Sequence, residues 1–210
     1  MSGKPQYDEQ AVITAAAGVF WRHGFAAASL SDLTAATGLS RSSIYQRFGD
    51  KDGLFLEALE AHTERSLCRM NAAKADSPRR RLEAILRTFL PDPAAPERPP
   101  GCLIARSCNE AAELSAAGSA AAVAAAARQR EIIRGILSDG ISGGELAHNA
   151  DVDTLSWYFF GVLHAVLNFP NAGADRPTLD RMIDVAMTAW PDLRTENNTN
   201  FVHKCSERNS

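Results

Sequence analysis

The sequence predicts an all-α fold in which an N-terminal three-helix domain with a helix-turn-helix precedes a larger C-terminal helical domain. Apolar residues recur at steps of three and four along most of the 210 residues, as on one face of a helix. No segment shows the alternating pattern of a strand, and Gly or Pro clusters separate the periodic segments. We expect the first domain to span residues 1–52, the second 53–192 and a polar tail 193–210.

The first predicted helix spans residues 8–23 and ends at Gly24. Its apolar face is formed by Val12, Ala16, Val19 and Phe20. Ser29 and Asp32 then have the S-x-x-D spacing of a capping box, in which each side chain bonds the backbone near the other. A second helix is therefore expected to follow Ser29 and to reach about Thr37.

The third predicted helix spans residues 41–48, after a turn at Gly38 and a cap at Ser40. At 100° per residue, Ile44 and Phe48 lie on one side of this helix. The opposite side carries only small or hydrogen-bonding residues, namely Ser42, Ser43 and Gln46. Because serines allow a close approach and glutamine can pair with adenine, this side suits insertion into a DNA groove.

The residues that flank this face suit contacts with the phosphate backbone. Tyr45 and Arg47 lie on either side of it, and Arg41 at the helix start could contact bases or phosphates. Lys51 lies in the first turn of the next helix, whose N-terminus attracts anions. Ser29 completes the predicted DNA-contacting residues. For each residue alone, ordinary solvated surface is the more frequent explanation, but their combination favours DNA binding.

The charge balance places a limit on this prediction. The net charge is −3, and residues 1–52 contain five basic and five acidic side chains. A protein that coats polyanions through many phosphate contacts would be strongly basic. Any DNA binding must therefore depend on where the charges lie.

The remaining chain is predicted to be helical apart from loops at its prolines and glycines. A fourth helix, capped by Asp50, is expected to reach about Ala75 and to point away from the first three. Further helices are expected over residues 79–90, 103–113, 115–138, 151–168 and 179–190, with a loop at 91–101 and a turn at 170–177. Gly140, Gly143 and Gly144 are expected to end the helix over 115–138.

Residues from about Val12 to Leu59 resemble the N-terminal domain of tetracycline-repressor (TetR) family transcriptional regulators. The matching elements are Ala15-Ala16, Val19-Phe20, Gly24-Phe25, Ser29-Leu30, Asp32-Leu33, Gly38-Leu39-Ser40, Ile44-Tyr45, Phe48, Lys51 and Leu54-Phe55. Two positions depart from the family pattern: Ala28 stands where threonine is frequent, and Gln46-Arg47 replaces an aromatic or histidine pair. The second departure predicts a different base preference.

The resemblance implies a homodimeric repressor that binds double-stranded, near-palindromic operator DNA and is released by a small-molecule effector. It also implies that the C-terminal domain binds the effector and that its last two long helices form the dimer interface. Candidate effector-binding residues are Phe89, Cys102, Leu103, Trp157, Tyr158 and His164. The helical spacing of Trp157, Phe160, Gly161 and His164 instead favours the dimer interface for that face.

Neither a metal, a cofactor nor a membrane segment is expected. The cysteines Cys68, Cys102, Cys108 and Cys205 match no zinc-ligand spacing, and no secretory signal precedes them, which predicts a cytoplasmic protein with free thiols. The longest strongly apolar run, residues 157–163, is far shorter than the roughly 18 residues of a membrane span.

Two alternative functions remain open from the sequence. Cys102 follows Pro-Pro-Gly at a predicted helix start, so the protein could be a repressor that senses oxidants or electrophiles through this thiol. Ser142 lies in a formal G-x-S-x-G motif, which would suggest a hydrolase. Because the motif follows a predicted helix and not a strand, we do not expect an enzyme.

Overall fold

Nine α-helices form the framework of the part of the chain that the computed structural model describes, residues 7–92, 94, 99 and 101–190. Two short 3₁₀ turns, Ala111–Glu113 and Phe169–Ala172, and no strand accompany them over these residues. The helices are α1 (Glu9–Ala27), α2 (Leu30–Thr37), α3 (Arg41–Phe48), α4 (Lys51–Ala72), α5 (Pro78–Thr88), α6 (Leu103–Asn109), α7 (Ala116–Ser142), α8 (Val152–Asn168) and α9 (Arg176–Met187). The all-α prediction is confirmed.

The three N-terminal helices follow the predicted capping signals closely. The Ser29 hydroxyl accepts from the Asp32 N–H at 3.1 Å, and the Asp32 carboxylate accepts from the Ser29 N–H at 3.0 Å, which completes the capping box of α2. Gly38 ends α2 with φ +71°, a conformation that glycine adopts without strain. Gly24 does break the first helix, with φ +80°, but the chain resumes a further turn as far as Ala27.

Helix α4 packs along α1, and the prediction that it points away from the first three helices is wrong. The Phe20 and Phe55 rings meet edge to face with centroids 5.2 Å apart, and the Arg65 guanidinium donates to the Thr14 hydroxyl at 3.1 Å. Apolar residues of both helices are buried, and the removal of these side chains from water holds the two helices together. Helix α4 also ends at Ala72, three residues earlier than expected.

The predicted helix over residues 103–113 is two elements. Helix α6 ends at Asn109, and a 3₁₀ turn follows it. Most of the predicted loop at 91–101 and the whole tail 193–210 lie outside the described residues.

Gly140 does not end α7, contrary to the prediction. It lies inside the helix, where the absence of a side chain allows another residue to pack closely. A Cβ built on Gly140 would lie 2.8 Å from the Trp190 ring. Helix α7 therefore continues to Ser142, and Gly143 caps it.

Helix α9 begins three residues before the predicted start. The Asp175 carboxylate accepts from the Thr178 N–H at 2.9 Å, and Pro177 occupies the first turn. A proline in the first turn of a helix costs no hydrogen bond, because the N–H groups there have no partner within the helix. Pro177, which was predicted to lie in a turn, therefore belongs to the helix.

One continuous hydrophobic core connects the two predicted domains. It extends from Val12 in α1 through Phe55 in α4 and Leu86 in α5 to Leu163 in α8 and Trp190. The domain boundary at residue 52 stays a prediction. Because the core is continuous, a shift of the C-terminal helices can be transmitted through packed side chains to the first three helices.

Candidate nucleic-acid interface and internal cavity

Helix α3 presents the predicted polar face to solvent. Ile44 is fully buried and Phe48 is 8% exposed, and they anchor the helix on the core. On the outer side Arg41, Ser42 and Gln46 are exposed, and Ser43 is half-buried. The helix turns its small and amide side chains outward, as a major-groove recognition helix does.

The serines at the start of α3 form a local hydrogen-bonded group. The Ser40 hydroxyl accepts from the Ser43 N–H at 3.1 Å and lies 2.8 Å from the Ser42 hydroxyl and 2.9 Å from that of Ser43. These hydroxyls bond to one another in the free protein. A DNA contact through Ser42 or Ser43 would use their remaining hydrogen-bonding capacity.

The predicted phosphate contacts have different surroundings. Tyr45 is 49% exposed beside the outer face of α3. Arg47 is held by the carboxylates of Glu9 and Glu57, and the hydrogen bond to Glu9 raises the pKa of its guanidinium. An Arg47 contact with phosphate would compete with these two acidic residues.

Lys51 and Ser29 are also engaged within the protein. The Lys51 ammonium lies 4.5 Å from the centre of the Phe25 ring and 3.5 Å from the Ala26 carbonyl oxygen, and burial lowers its pKa. Ser29 is exposed at the start of α2, where its hydroxyl caps the helix. Their DNA contacts stay predictions.

A cavity of about 300 Å³, partly open to solvent and termed the internal cavity below, lies between α4 and the C-terminal helices. It is lined by Trp21, His62, Arg65, Ser66, Arg69, Phe89, Gly101, Cys102 and Leu167. Phe89 and Cys102 were among the candidate effector residues, whereas Leu103 is buried in the core at the start of α6. The volume is at the lower end of small-molecule sites, which span about 300–1,000 Å³.

Sequence reasoning missed the part of this cavity that α4 contributes. His62, Arg65, Ser66 and Arg69 recur at steps of three and one, so they share one face of the helix. The helical spacing of these polar residues was the signal that the sequence offered. Trp21 gave none, because only the packing of α1 on α4 brings its ring within 4.8 Å of the His62 ring.

Two further candidate effector residues, Trp157 and His164, line a second, open depression of about 790 Å³ on the outside of α6, α7 and α8. Trp157 is 56% exposed there, and His164 contributes a half-buried ring whose pKa burial lowers to about 4. Tyr158 is 43% exposed on the same helix, outside that depression. The structure therefore separates Trp157, Tyr158 and His164 from the internal cavity.

The structure also places the cysteines and the G-x-S-x-G motif. Cys68 is exposed, Cys102 buried and Cys108 half-buried, and Cys205 lies outside the described residues. The Ser142 hydroxyl donates to the Ser138 carbonyl in the last turn of α7, which is not the strand-to-helix turn of a nucleophile elbow.

No group of metal-binding side chains occurs over the described residues. Within the same part of the chain, every helix is too short or too polar to cross a membrane.

Two family models match the chain. The model of bacterial regulatory proteins of the tetR family matches residues 12–58. The model of the tetracyclin repressor-like C-terminal domain matches residues 78–186, more than half of the chain. The two matches cover the predicted DNA-contacting surface and most of the helices around the cavity.

Individual proteins agree with these models. The chain is 24% identical over 196 residues to the HTH-type transcriptional repressor ComR of Escherichia coli (strain K12), covering 91% of this chain and 93% of that protein. It is 33% identical over 116 residues to the uncharacterized HTH-type transcriptional regulator YezE of Bacillus subtilis (strain 168), covering 52% and 58%. A solved cysteine mutant of the TetR family regulator CifR, complexed with 26-bp double-strand operator DNA, superposes with a TM-score of 0.76 at 27% identity, over 90% of this chain and 100% of that chain.

Proposed function

The chain belongs to the tetR family of bacterial regulatory proteins, and we propose that it represses transcription as a homodimer on a near-palindromic operator, from which a small molecule releases it. The proposal rests mainly on α3, whose polar side faces solvent while Ile44 and Phe48 fix its position. Gln46 is the residue best suited to base contact, with Ser42 and Ser43 beside it. Arg41, Tyr45, Arg47, Lys51 and Ser29 are assigned to the flanking backbone.

A dimer suits this function, because a single α3 has little positive charge around it with which to hold the DNA backbone. Two recognition helices related by a two-fold axis would bind successive major grooves, about 34–36 Å apart. Helix α8 and the turn after it expose large apolar side chains, since Trp157, Tyr158 and Phe169 are 56%, 43% and 47% exposed. Trp157 and Phe169 border the same open depression, and exposed large apolar groups that share a face are typical of interfaces.

The internal cavity is the proposed effector site. It borders α4, which begins three residues after the end of α3 and packs on α1. An effector that binds better to a conformation unable to bind DNA shifts the population toward it. By linkage, operator DNA must weaken effector binding by the same factor.

A gel shift with DNA from upstream of the protein's own gene tests operator binding. Gln46→Ala is expected to weaken binding by roughly 30-fold or more, the equivalent of at least about 2 kcal/mol for one lost base contact in each half-site of the dimer. Gln10→Ala serves as a matched control, because Gln10 is an exposed glutamine at the start of α1. Equal binding by the wild type, Gln46→Ala and Arg47→Ala would contradict the assignment of α3.

A second candidate function is a repressor that responds to oxidants or electrophiles through Cys102. The specific observation is that the Cys102 thiol lines the internal cavity and is 4% exposed, so a reactive molecule bound in the cavity would reach it. Peroxide would then abolish operator binding by the wild type and leave Cys102→Ser bound. Equal peroxide sensitivity of the two proteins would eliminate this candidate.

A further inference from the structure

Two arginines of α4 line the internal cavity from the same side. Arg65 and Arg69 are four residues apart, so their side chains project from one face of the helix. Like charges at this spacing repel each other, which costs a few tenths of a kcal/mol on an isolated helix. An anionic group bound between the two side chains would relieve this repulsion.

The partners of Arg65 and Arg69 in the described part of the chain are neutral oxygens. Arg65 donates to the Thr14 hydroxyl at 3.1 Å, and Arg69 donates to the Thr88 carbonyl at 2.5 Å. None of the ion pairs among the described residues includes either arginine. The charge of the nearby Asp92 carboxylate, which also accepts from the Ala94 N–H at 2.9 Å, acts to raise the pKa of Arg69, although the two form no ion pair.

Each guanidinium has five N–H donors, so one hydrogen bond to a neutral oxygen leaves most of them available. Partial burial lowers the pKa of both groups, although Arg65 keeps contact with solvent. Arginine stays charged at any physiological pH, and its planar fork matches a carboxylate with two parallel hydrogen bonds. The basic side of the cavity thus suits one anionic group.

A second part of the cavity lining is apolar and aromatic. Trp21, Phe89 and Leu167 contribute to it, and Phe89 and Leu167 are at most 6% exposed. The Arg69 guanidinium lies 4.9 Å from the centre of the Phe89 ring, a cation–π distance that fixes its direction. A ligand that fits both the basic and the apolar part of the cavity lining has an anionic end and a hydrophobic body.

We infer that the effector is a small organic carboxylate with an aromatic or aliphatic body, bound through Arg65 and Arg69. This inference rests on the proposed role of the cavity as the effector site. The volume of about 300 Å³ favours a body of one or two rings over a long acyl chain. The carboxylate would bind to α4, the helix that follows the recognition helix.

Matched acid and amide pairs test the inference on the purified full-length protein. The probes are phenylacetate, 4-phenylbutyrate and 2-naphthoate, each compared with its neutral amide at millimolar concentration by isothermal titration calorimetry. At least one acid is expected to bind roughly 10-fold or more tightly than its amide, because charge-assisted hydrogen bonds are stronger than neutral ones. Equal binding of acids and amides, or no binding of any acid, would overturn the inference.

Arginine variants establish where the acid binds. Arg69→Met and Arg65→Met keep much of the side-chain volume, and each is expected to weaken acid binding by about 10- to 100-fold while sparing the amide. Arg134→Met is the control, since Arg134 is exposed on α7 and pairs with Glu131 away from the cavity. Equal acid affinity in all three variants would place the acid elsewhere and overturn the inference.

Operator binding distinguishes this inference from the function on which it rests. The three variants and the wild type are tested on the same operator with and without acid. If all four bind DNA and the acid releases none, the carboxylate inference fails and the regulator stands. If none, including the wild type, binds DNA selectively, the proposed function fails, whatever the acid affinity.

Discussion

Arg47 joins the recognition helix to two other helices and also faces the expected DNA backbone. Its guanidinium contacts Glu9 of α1 and Glu57 of α4 in the DNA-free protein. All three side chains are more than a third exposed, so these ion pairs add little stability in water. A phosphate can therefore displace a carboxylate at small cost.

Arg47→Ala is expected to weaken operator binding and to flatten its salt dependence. Each lost phosphate contact reduces the slope of log K against log salt concentration by about 0.9, so the loss of one contact per subunit reduces it by about 1.8 in the dimer. Fluorescence anisotropy with a labelled operator at several salt concentrations measures it, with Glu57→Gln as a control that keeps the arginine. A weaker complex with an unchanged slope would mean that Arg47 only orients α3.

His164 gives the stability a specific pH dependence. Burial lowers its pKa to about 4 in the folded protein, against an ordinary value of 6.5. As the pH falls, the unfolded chain takes up the proton first, so stability is lost from about pH 6.5 down to about pH 4. We expect chemical unfolding of His164→Gln to show a flatter pH dependence in this window. Parallel curves for the two proteins would contradict the neutral, buried state of His164.

Local patterns predicted the residues whose partners lie within a few positions. The Ser29–Asp32 capping box and the Ile44–Phe48 anchor follow from spacing alone. The contact of Arg47 with Glu9 joins residues 38 positions apart, and no local pattern encodes it. The cavity arginines were missed for the same reason, because α5 and α8 complete the walls around them.

At the level of elements, the break in α1 connects the first three helices to α6. Gly24 has φ +80°, and the next residue, Phe25, donates its N–H to the Glu110 carboxylate at 2.8 Å. Glu110 caps the end of α6, whose first residues adjoin the cavity. A movement of α6 would therefore reach the DNA-contacting helices through this hydrogen bond.

Substitution of two glycines by alanine should have opposite effects on stability. Gly24→Ala forces a side chain into a positive-φ position, where its Cβ would lie 2.1 Å from Glu110 Oε1, and should lower the free energy of unfolding by more than about 1 kcal/mol. Gly135 lies inside α7 with open space around it, so Gly135→Ala should raise the free energy by about 0.5–1 kcal/mol. Urea unfolding at one protein concentration measures both. A stable Gly24→Ala protein would contradict the strained turn.

Element boundaries were predictable where a side chain caps its own helix and failed where packing decides. Asp50 and Ser29 cap α4 and α2 as their sequence suggests. Gly140 stays inside α7 because Trp190, fifty residues later, packs against it. The path of α4 along α1 likewise depends on an interface that neither helix specifies alone.

At the scale of the whole molecule, the proposed operator binding depends on two copies of the chain. The outer face of α8 contains Trp157, over which the Arg130 guanidinium lies at 4.3 Å from the ring centre. Trp157 and Gly161 border the same open depression, where a second α8 can approach closely. This face is the proposed centre of the dimer.

Trp157→Glu is expected to produce a folded monomer with greatly reduced operator affinity. A buried, unpaired carboxylate at the two-fold axis would oppose its own copy. Sedimentation equilibrium measures the association, and circular dichroism checks the fold. Ala72→Glu is the control because it adds the same charge at the exposed end of α4. A Trp157→Glu protein that stays dimeric would place the interface elsewhere.

Selection of DNA sequences from a random duplex pool by the wild-type protein tests the central claim most directly. The two α3 helices of a dimer should enrich an inverted repeat with half-sites about one helical turn, 10–10.5 bp, apart. Gln46→Ala should keep the spacing and relax the preference at one base of each half-site. Enrichment of a single, unsymmetrical site, or of no sequence at all, would contradict a dimeric repressor that recognises DNA through α3.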